Sequence, residues 1–219
     1  MNELNNWVLY FVLLKPDFAL EFASFLLKSN ALRFGAFTLA SGKPSPYYID
    51  LRMLPSFPDQ FRLAIGALKE RAAKLKFDTL ASVPTSGLIF GSALAYETSR
   101  PFVYVRKESK GYGTSKLVEG HLSSGARVLL VDDVATTGTS VSKAIDIIRS
   151  NGGVVEDVIA VVSRLEGAEE KLKGMGVRLT AVATIHDIVN TLHKAGLVDG
   201  ATLDSVIKQV AGSGEYEAD

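Results

Sequence analysis

Apolar positions along the chain recur with two periods, and the alternation between them predicts the fold. Phe18, Phe22, Phe25 and Leu26 fall at i, i+4, i+7 and i+8, one face of a helix. Within Phe34–Met53, two short β-like runs flank Ser41-Gly42-Lys43-Pro44, a turn signal, and together predict a hairpin. Beyond Phe57 helical and strand patterns take turns. The spacing predicts helices over Phe61–Leu75, Gly87–Glu97, Ser140–Ser150, Ala168–Lys173, His186–Lys194 and Thr202–Val210. It predicts strands over Thr79–Val83, Phe102–Val105, Arg127–Val131, Val158–Val162 and Leu179–Ile185. Ser109–Gly125 scatters Gly111, Gly113, Gly120 and Gly125 among charged and hydroxyl residues and reads as a long loop or a weak hairpin.

The strands at Arg127 and Val158 are unbroken apolar runs, the mark of a strand covered on both faces. Strands alternating with helices imply an α/β fold with a parallel sheet, flanking helices and right-handed crossovers. Ligands of such sheets bind beyond the carboxyl ends of the strands, so the loops after Val83, Val105, Val131 and Val162 are expected to meet at one site. The predicted organisation is an extension over residues 1–17, a helix and hairpin over 18–57, a core over 58–211 and a frayed polar tail over 212–219.

Composition narrows the function. The 219 residues are 47% hydrophobic and 22% charged, as in a soluble globular protein. Lys and Arg number 24 and Asp and Glu number 24, a balance that argues against nucleic-acid binding by bulk charge. The chain has no cysteine, which excludes disulfides, thiolate nucleophiles and thiolate metal sites. The apolar run Trp7–Leu14 falls well short of the ~20 residues a membrane span needs. It reads as a buried helix or a packed arm rather than a targeting signal, so a cytoplasmic protein with no membrane partner is expected.

The chemistry concentrates in Val128–Ser140, VLLVDDVATTGTS. A buried strand delivers two adjacent carboxylates, Asp132 and Asp133. The small and hydroxyl-bearing residues Val134, Ala135, Thr136, Thr137, Gly138, Thr139 and Ser140 follow and lead into a helix. Backbone N–H groups of such a loop converge on a phosphate, the helix N-terminus adds positive potential, and the threonine hydroxyls add donors. The carboxylates repel phosphate. They suit the vicinal hydroxyls of a ribose, or a Mg²⁺ ion with water between. A sugar phosphate fits the whole segment; the bland alternative is a helix cap with solvated acids. The segment is neither a Walker A loop nor a GxGxxG fingerprint.

Val128–Ser140 resembles the phosphoribosyl-pyrophosphate (PRPP) signature of type I phosphoribosyltransferases. Three further stretches resemble the orotate phosphoribosyltransferases in particular: Phe34–Asp50 (FGAFTLASGKPSPYYID), like that family's N-terminal hood; Arg106–Gly113 (RKESKGYG), like its mobile catalytic loop; and Arg164–Ala168 (RLEGA). The resemblance implies transfer of ribose 5-phosphate from PRPP to orotate, with Mg²⁺ held mainly through PRPP, and a homodimer that shares the mobile loop across its interface. It implies that Arg106, Lys107, Lys110 and Tyr112 act on PRPP, with Arg106, Lys110, Asp132 and Asp133 catalytic. It implies that Lys43, Tyr47, Tyr48, Thr136 and Arg164 hold orotate. The alternative for Arg164 is a surface salt bridge with Glu166, and Tyr47 and Tyr48 could equally be core. Ala40, Ser86 and Tyr112 stand where many members have Lys, Lys and His. The rivals are a phosphoribosyltransferase for another base and a PRPP-binding regulator of the same fold.

Overall fold

The computed structural model describes residues 16–39, 42–106 and 117–212. The extension over 1–15, Ala40 and Ser41, the stretch 107–116 and the tail from Ser213 lie outside the described residues. The chain divides into two compact units: Met1–Leu63 with Arg164–Glu166 and Ala183–Asp219, and Ala64–Ser163 with Gly167–Val182.

In the first unit, helix α1 (Pro16–Lys28) buries Phe18, Phe22 and Leu26, the stripe its spacing predicts. Strands β1 (Leu32–Thr38) and β2 (Pro44–Ile49) form the predicted antiparallel hairpin, with Leu32 opposite Ile49 and Thr38 opposite Pro44. The register slips between Phe34 and Phe37, a bulge of the kind that bends a hairpin. Side-chain alternation along β2 decides the fate of its tyrosines: Tyr47 is fully buried, whereas Tyr48 is half-buried beside Phe37 and Arg33. Helices α6 (Ile185–Lys194) and α7 (Gly200–Ala211) complete this unit; α6 packs against α1 and α7, and α7 against β2. A reciprocal capping box starts α6, with Thr184 Oγ1 accepting from the Asp187 N–H and Asp187 Oδ2 accepting from the Thr184 N–H.

The second unit carries most of a six-stranded sheet in the order β5-β4-β3-β6-β7-β8. Its strands are β3 (Thr79–Ser82), β4 (Phe102–Val105), β5 (Val118–Glu119), β6 (Arg127–Ala135), β7 (Val154–Ser163) and β8 (Arg178–Thr184). β3 runs parallel to both β4 and β6, and β6 parallel to β7; β5 pairs antiparallel to β4. Within the glycine-rich stretch Ser109–Gly125 the described part contributes β5, whose partner β4 lies outside that stretch. Helix α2 (Pro58–Ala72) leads into the sheet, α3 (Ser86–Thr98) packs on β3, β4 and β6, and α4 (Thr139–Ser150) packs on β4, β6 and β7. The α4 residues Val141, Ala144, Ile145 and Ile148 join Val128, Leu130, Val158 and Ala160 in one buried cluster. A short helix, α5 (Ala168–Gly174), adds Ala168 and Leu172 to it.

β6 runs further than its apolar run predicts. Aspartate disfavours strands, so the pattern stops at Val131. Pairing overrides propensity: Asp132 sits opposite Ala160, Val134 opposite Val162 and Ala135 opposite Ser163 on β7. On the other edge, pairing with β3 ends at Ser82 and Val131. From Asp132 onward β6 is therefore paired on its β7 side while β3 has already turned away. The chain passes from β3 to β4 on one side and later to β6 on the other, so this step is the switch point where α/β sheets bind ligands.

Beneath that point the Ser82 hydroxyl is buried and, among the described residues, is the one buried side-chain oxygen or nitrogen with no hydrogen-bond partner. A buried hydroxyl without a partner costs free energy. Ser82→Ala should therefore raise stability by up to about 1 kcal/mol in urea titrations; a loss of similar size would mean that the hydroxyl is satisfied in solution.

Candidate active site

The two carboxylates leave the sheet in different environments. Asp132 is buried, 8% exposed, and its Oδ1 accepts the Asp133 N–H at 2.9 Å. Burial first, and then the adjacent charge of Asp133, push its carboxyl well above the ordinary range. Asp133 is half-buried and is also raised by burial; hydrogen bonding with Asp132, the Val134 backbone and the Ser86 side chain pulls the other way. Buried acids held close together are costly to ionise both at once, so the pair holds a proton to higher pH than an isolated aspartate. Ligand hydroxyls that donate to these oxygens would replace the water lost on burial.

Gly87 frames the pair from the start of α3. A Cβ there would lie 2.9 Å from the Val131 carbonyl oxygen and 3.0 Å from Asp132 Oδ1. The helix thus reaches the end of β6 only because residue 87 has no side chain. Ser86, one of the departures from the family pattern, stands next to it.

The loop Thr136–Ser140 ends in the N-terminus of α4. Gly138 is the N-cap, with φ +69°, and a Cβ on it would sit 3.2 Å from Ala168 Cα at the start of α5. The first amides of a helix have no carbonyl partners within it, and the peptide dipoles add positive potential there. Thr137 Oγ1 and Thr139 Oγ1 lie 3.1 Å apart. Lys171, which the sequence patterns do not single out, donates from Nζ to Thr139 Oγ1 at 3.0 Å. Half-buried and buried residues line the start of the loop, whereas Thr139 and Ser140 are exposed. The arrangement offers donors for an anion beside acceptors for hydroxyls.

Arg106 follows β4 directly, and its Nη1 donates to Glu119 on β5 at 2.9 Å, while its N–H bonds the Leu117 carbonyl at 2.8 Å. These contacts pin both ends of the segment that carries Lys107, Lys110 and Tyr112, which lie outside the described residues.

In the first unit, Arg164 is held rather than free. Its Nε and Nη2 donate to Glu166 Oε1 at 3.0 and 2.8 Å, and Nη2 also reaches Ser45 Oγ at 3.1 Å. The guanidinium lies 4.3 Å from the centroid of the Tyr47 ring, and the Tyr47 hydroxyl donates to Glu166 at 3.1 Å. The pair with Glu166 does form, but in the interior: the two side chains are 5% and 6% exposed. Burial is the main reason the Tyr47 phenol is pushed far above its ordinary value. Lys43 is exposed in the hairpin turn, where the Leu39 N–H bonds its carbonyl at 2.9 Å. The sequence offers Glu166 as a surface partner for Arg164 but not its burial or its bond with Tyr47. The RLEGA stretch contains Glu166, but the contact with Tyr47 spans 119 positions.

The model of the phosphoribosyl transferase domain matches residues 58–191. An orotate phosphoribosyltransferase of Cenarchaeum symbiosum is 46% identical over 87% of this chain and 96% of its own length. The crystal structure of orotate phosphoribosyltransferase from Aeropyrum pernix is 42% identical, with a TM-score of 0.71, over 81% of this chain and 99% of that one. UMP synthase of Leishmania donovani is 33% identical with a TM-score of 0.80; the match covers 89% of this chain and 42% of that longer one. With this sheet and this PRPP signature, the chain is a type I phosphoribosyltransferase by class, and it belongs to the orotate phosphoribosyltransferase family.

The raised affinity of Asp132 for its proton sets a stability trade. A carboxyl whose folded pKa exceeds its unfolded value costs stability once pH rises above the unfolded value, and the cost is complete above the folded one. Asp132→Asn should therefore melt higher than wild type at pH 8 without substrate. The gain should shrink as pH falls and vanish below about 4, the unfolded carboxylate value. Thermal melts across that range test this; a variant that melts lower at pH 8 would show the carboxylate to be stabilising. Gly87→Ala should destabilise the fold and weaken PRPP binding together, read by melting and calorimetry.

Proposed function

We propose that this protein catalyses the transfer of ribose 5-phosphate from PRPP to orotate, giving orotidine 5′-phosphate and pyrophosphate, a step of pyrimidine nucleotide synthesis. The observation that carries this is the juxtaposition, at the switch point of the sheet, of the Asp132–Asp133 pair with the helix-capping loop Thr136–Ser140. The loop amides and the Thr137 and Thr139 hydroxyls bind the 5-phosphate. The aspartate oxygens accept from the ribose hydroxyls and hold the sugar while the bond from its anomeric carbon to the pyrophosphate oxygen breaks. A ring nitrogen of orotate supplies the electron pair for the new bond and gives up its proton, which the departing pyrophosphate can accept. Positive charge builds on the sugar as the old bond lengthens, and the nearby carboxylates stabilise it.

Arg106, Lys107 and Lys110 neutralise the departing pyrophosphate. Tyr112 stands where a histidine is usual and offers a hydroxyl as hydrogen-bond donor. Closure of their segment would exclude water from a centre that water would otherwise attack. No protein nucleophile takes part; positioning and charge stabilisation account for the rate.

Among the described residues no group of three or more His, Asp or Glu side chains could cage a metal. Asp132 and Asp133 nonetheless present hard oxygens, which fit Mg²⁺ carried on substrate oxygens and reached directly or through water. Held there, a Mg²⁺ ion would supply positive charge for the pyrophosphate group. Arg164, its guanidinium fixed by Glu166, Ser45 and Tyr47, pairs with the orotate carboxylate; Tyr48, Lys43 and Thr136 are the other residues assigned to orotate. A homodimer and a cytoplasmic location belong to the same proposal. No described helix is long and apolar enough to cross a membrane.

Loss of orotate absorbance on adding PRPP and Mg²⁺ tests the activity directly; turnover with a purine instead, or PRPP binding with no turnover of any base, would overturn it. Arg164→Lys should raise the KM for orotate roughly tenfold with little change for PRPP, because lysine cannot reproduce the forked geometry. Lys110→Ala should lower kcat while the melting temperature stays put.

A further inference from the structure

We infer that Lys171 is a further substrate-binding residue, a full positive charge that α5 brings to the 5-phosphate loop. The inference rests on the reading of Thr136–Ser140 as that loop. Three observations carry it. The loop contains no charged side chain, so from its own residues a phosphate dianion meets only neutral donors and the partial charge of one helix end, equivalent to about half a unit. Second, α5 is built against the loop: its Ala168 closes on Gly138 so tightly that an added Cβ would approach Ala168 Cα to 3.2 Å. Residues three apart share a helix face, so the contact that seats Ala168 also directs Lys171 to the loop. Third, the Lys171 ammonium already bonds Thr139 Oγ1 at 3.0 Å, and Thr139 Oγ1 lies 3.1 Å from Thr137 Oγ1.

The bond has a direction. An ammonium only donates, so the Thr139 oxygen accepts from Lys171 and its own proton is left to donate. Without ligand that proton can go to Thr137. With a phosphate in the loop it turns to a phosphate oxygen, and the ammonium lies close enough to follow. Lys171 thus sets the polarity of the hydroxyl pair and adds a charge-assisted bond to the anion. This role selects for the phosphorylated end of the sugar and leaves the base and the pyrophosphate to other residues.

The probe is ribose 5-phosphate, titrated by calorimetry into the full-length protein, with steady-state kinetics for PRPP and orotate alongside. Lys171→Met should weaken ribose 5-phosphate binding and raise the KM for PRPP about tenfold, the loss expected of one charge-assisted hydrogen bond. The KM for orotate and the binding of free pyrophosphate should hold, and Lys171→Arg should recover most of the loss. Lys173→Met removes the same charge from the same helix; an equal effect there would reduce the result to bulk charge and overturn the inference. A double Thr137→Val, Thr139→Val variant separates the two levels of argument. If that variant loses ribose 5-phosphate and Lys171→Met does not, the phosphate loop stands and Lys171 has no part in it. If neither variant changes binding, the phosphate lies elsewhere and the assignment of the loop falls as well.

Discussion

Two neighbouring carboxylates at the end of a buried strand are the constraint on which the catalytic unit turns. Aspartate suits neither the interior of a sheet nor the company of another aspartate. Asp132 is nevertheless paired into β6 opposite Ala160 and shut in by Gly87 from α3. The apolar cluster beneath, from Val128 and Leu130 to Ile145 and Ile148, supplies the stability that such an arrangement spends. What the fold obtains is a pair of acceptors, one buried and one half-buried, at the carboxyl end of a strand.

The sheet's offset makes that arrangement possible. If β3 were as long as β6, its backbone would cover the edge that follows Val131. Instead β3 ends at Ser82 and the chain turns through Pro84 and Thr85 into α3. The amides at the start of α4 follow within a few residues of the acids, so one strand and one helix end between them present acceptors and then donors. A sugar phosphate has the complementary order, hydroxyls and then an anion.

Much of this was legible in the residues, for reasons that differ from element to element. The hairpin and the parallel strands announced themselves because burial imposes strict periods. The loop after β6 stood out because few residue types can meet an anion through backbone amides, and TTGTS after a strand is made of them. The end of β6 was misjudged because local propensity argued against aspartate while a partner strand, remote in sequence, decided the matter. Gly87 looked like an ordinary helix start until Val131 and Asp132 were seen against it. The bond from Tyr47 to Glu166 belongs to tertiary structure alone, and Lys171 differs from any surface lysine only by what α5 leans on.

The buried pair of Arg164 and Glu166 has a further consequence for how the substrates respond to ionic strength. A cation that carries its own counter-ion inside the protein presents little net field to the surroundings, and dissolved ions scarcely screen it. In the role proposed for it, Arg164 would act through the fixed direction of its guanidinium N–H bonds and hardly through long-range attraction. Lys171 is exposed, and added electrolyte dampens its pull on an anion. On the proposed assignments, added salt would therefore act on the exposed Lys171 more than on the buried Arg164 pair.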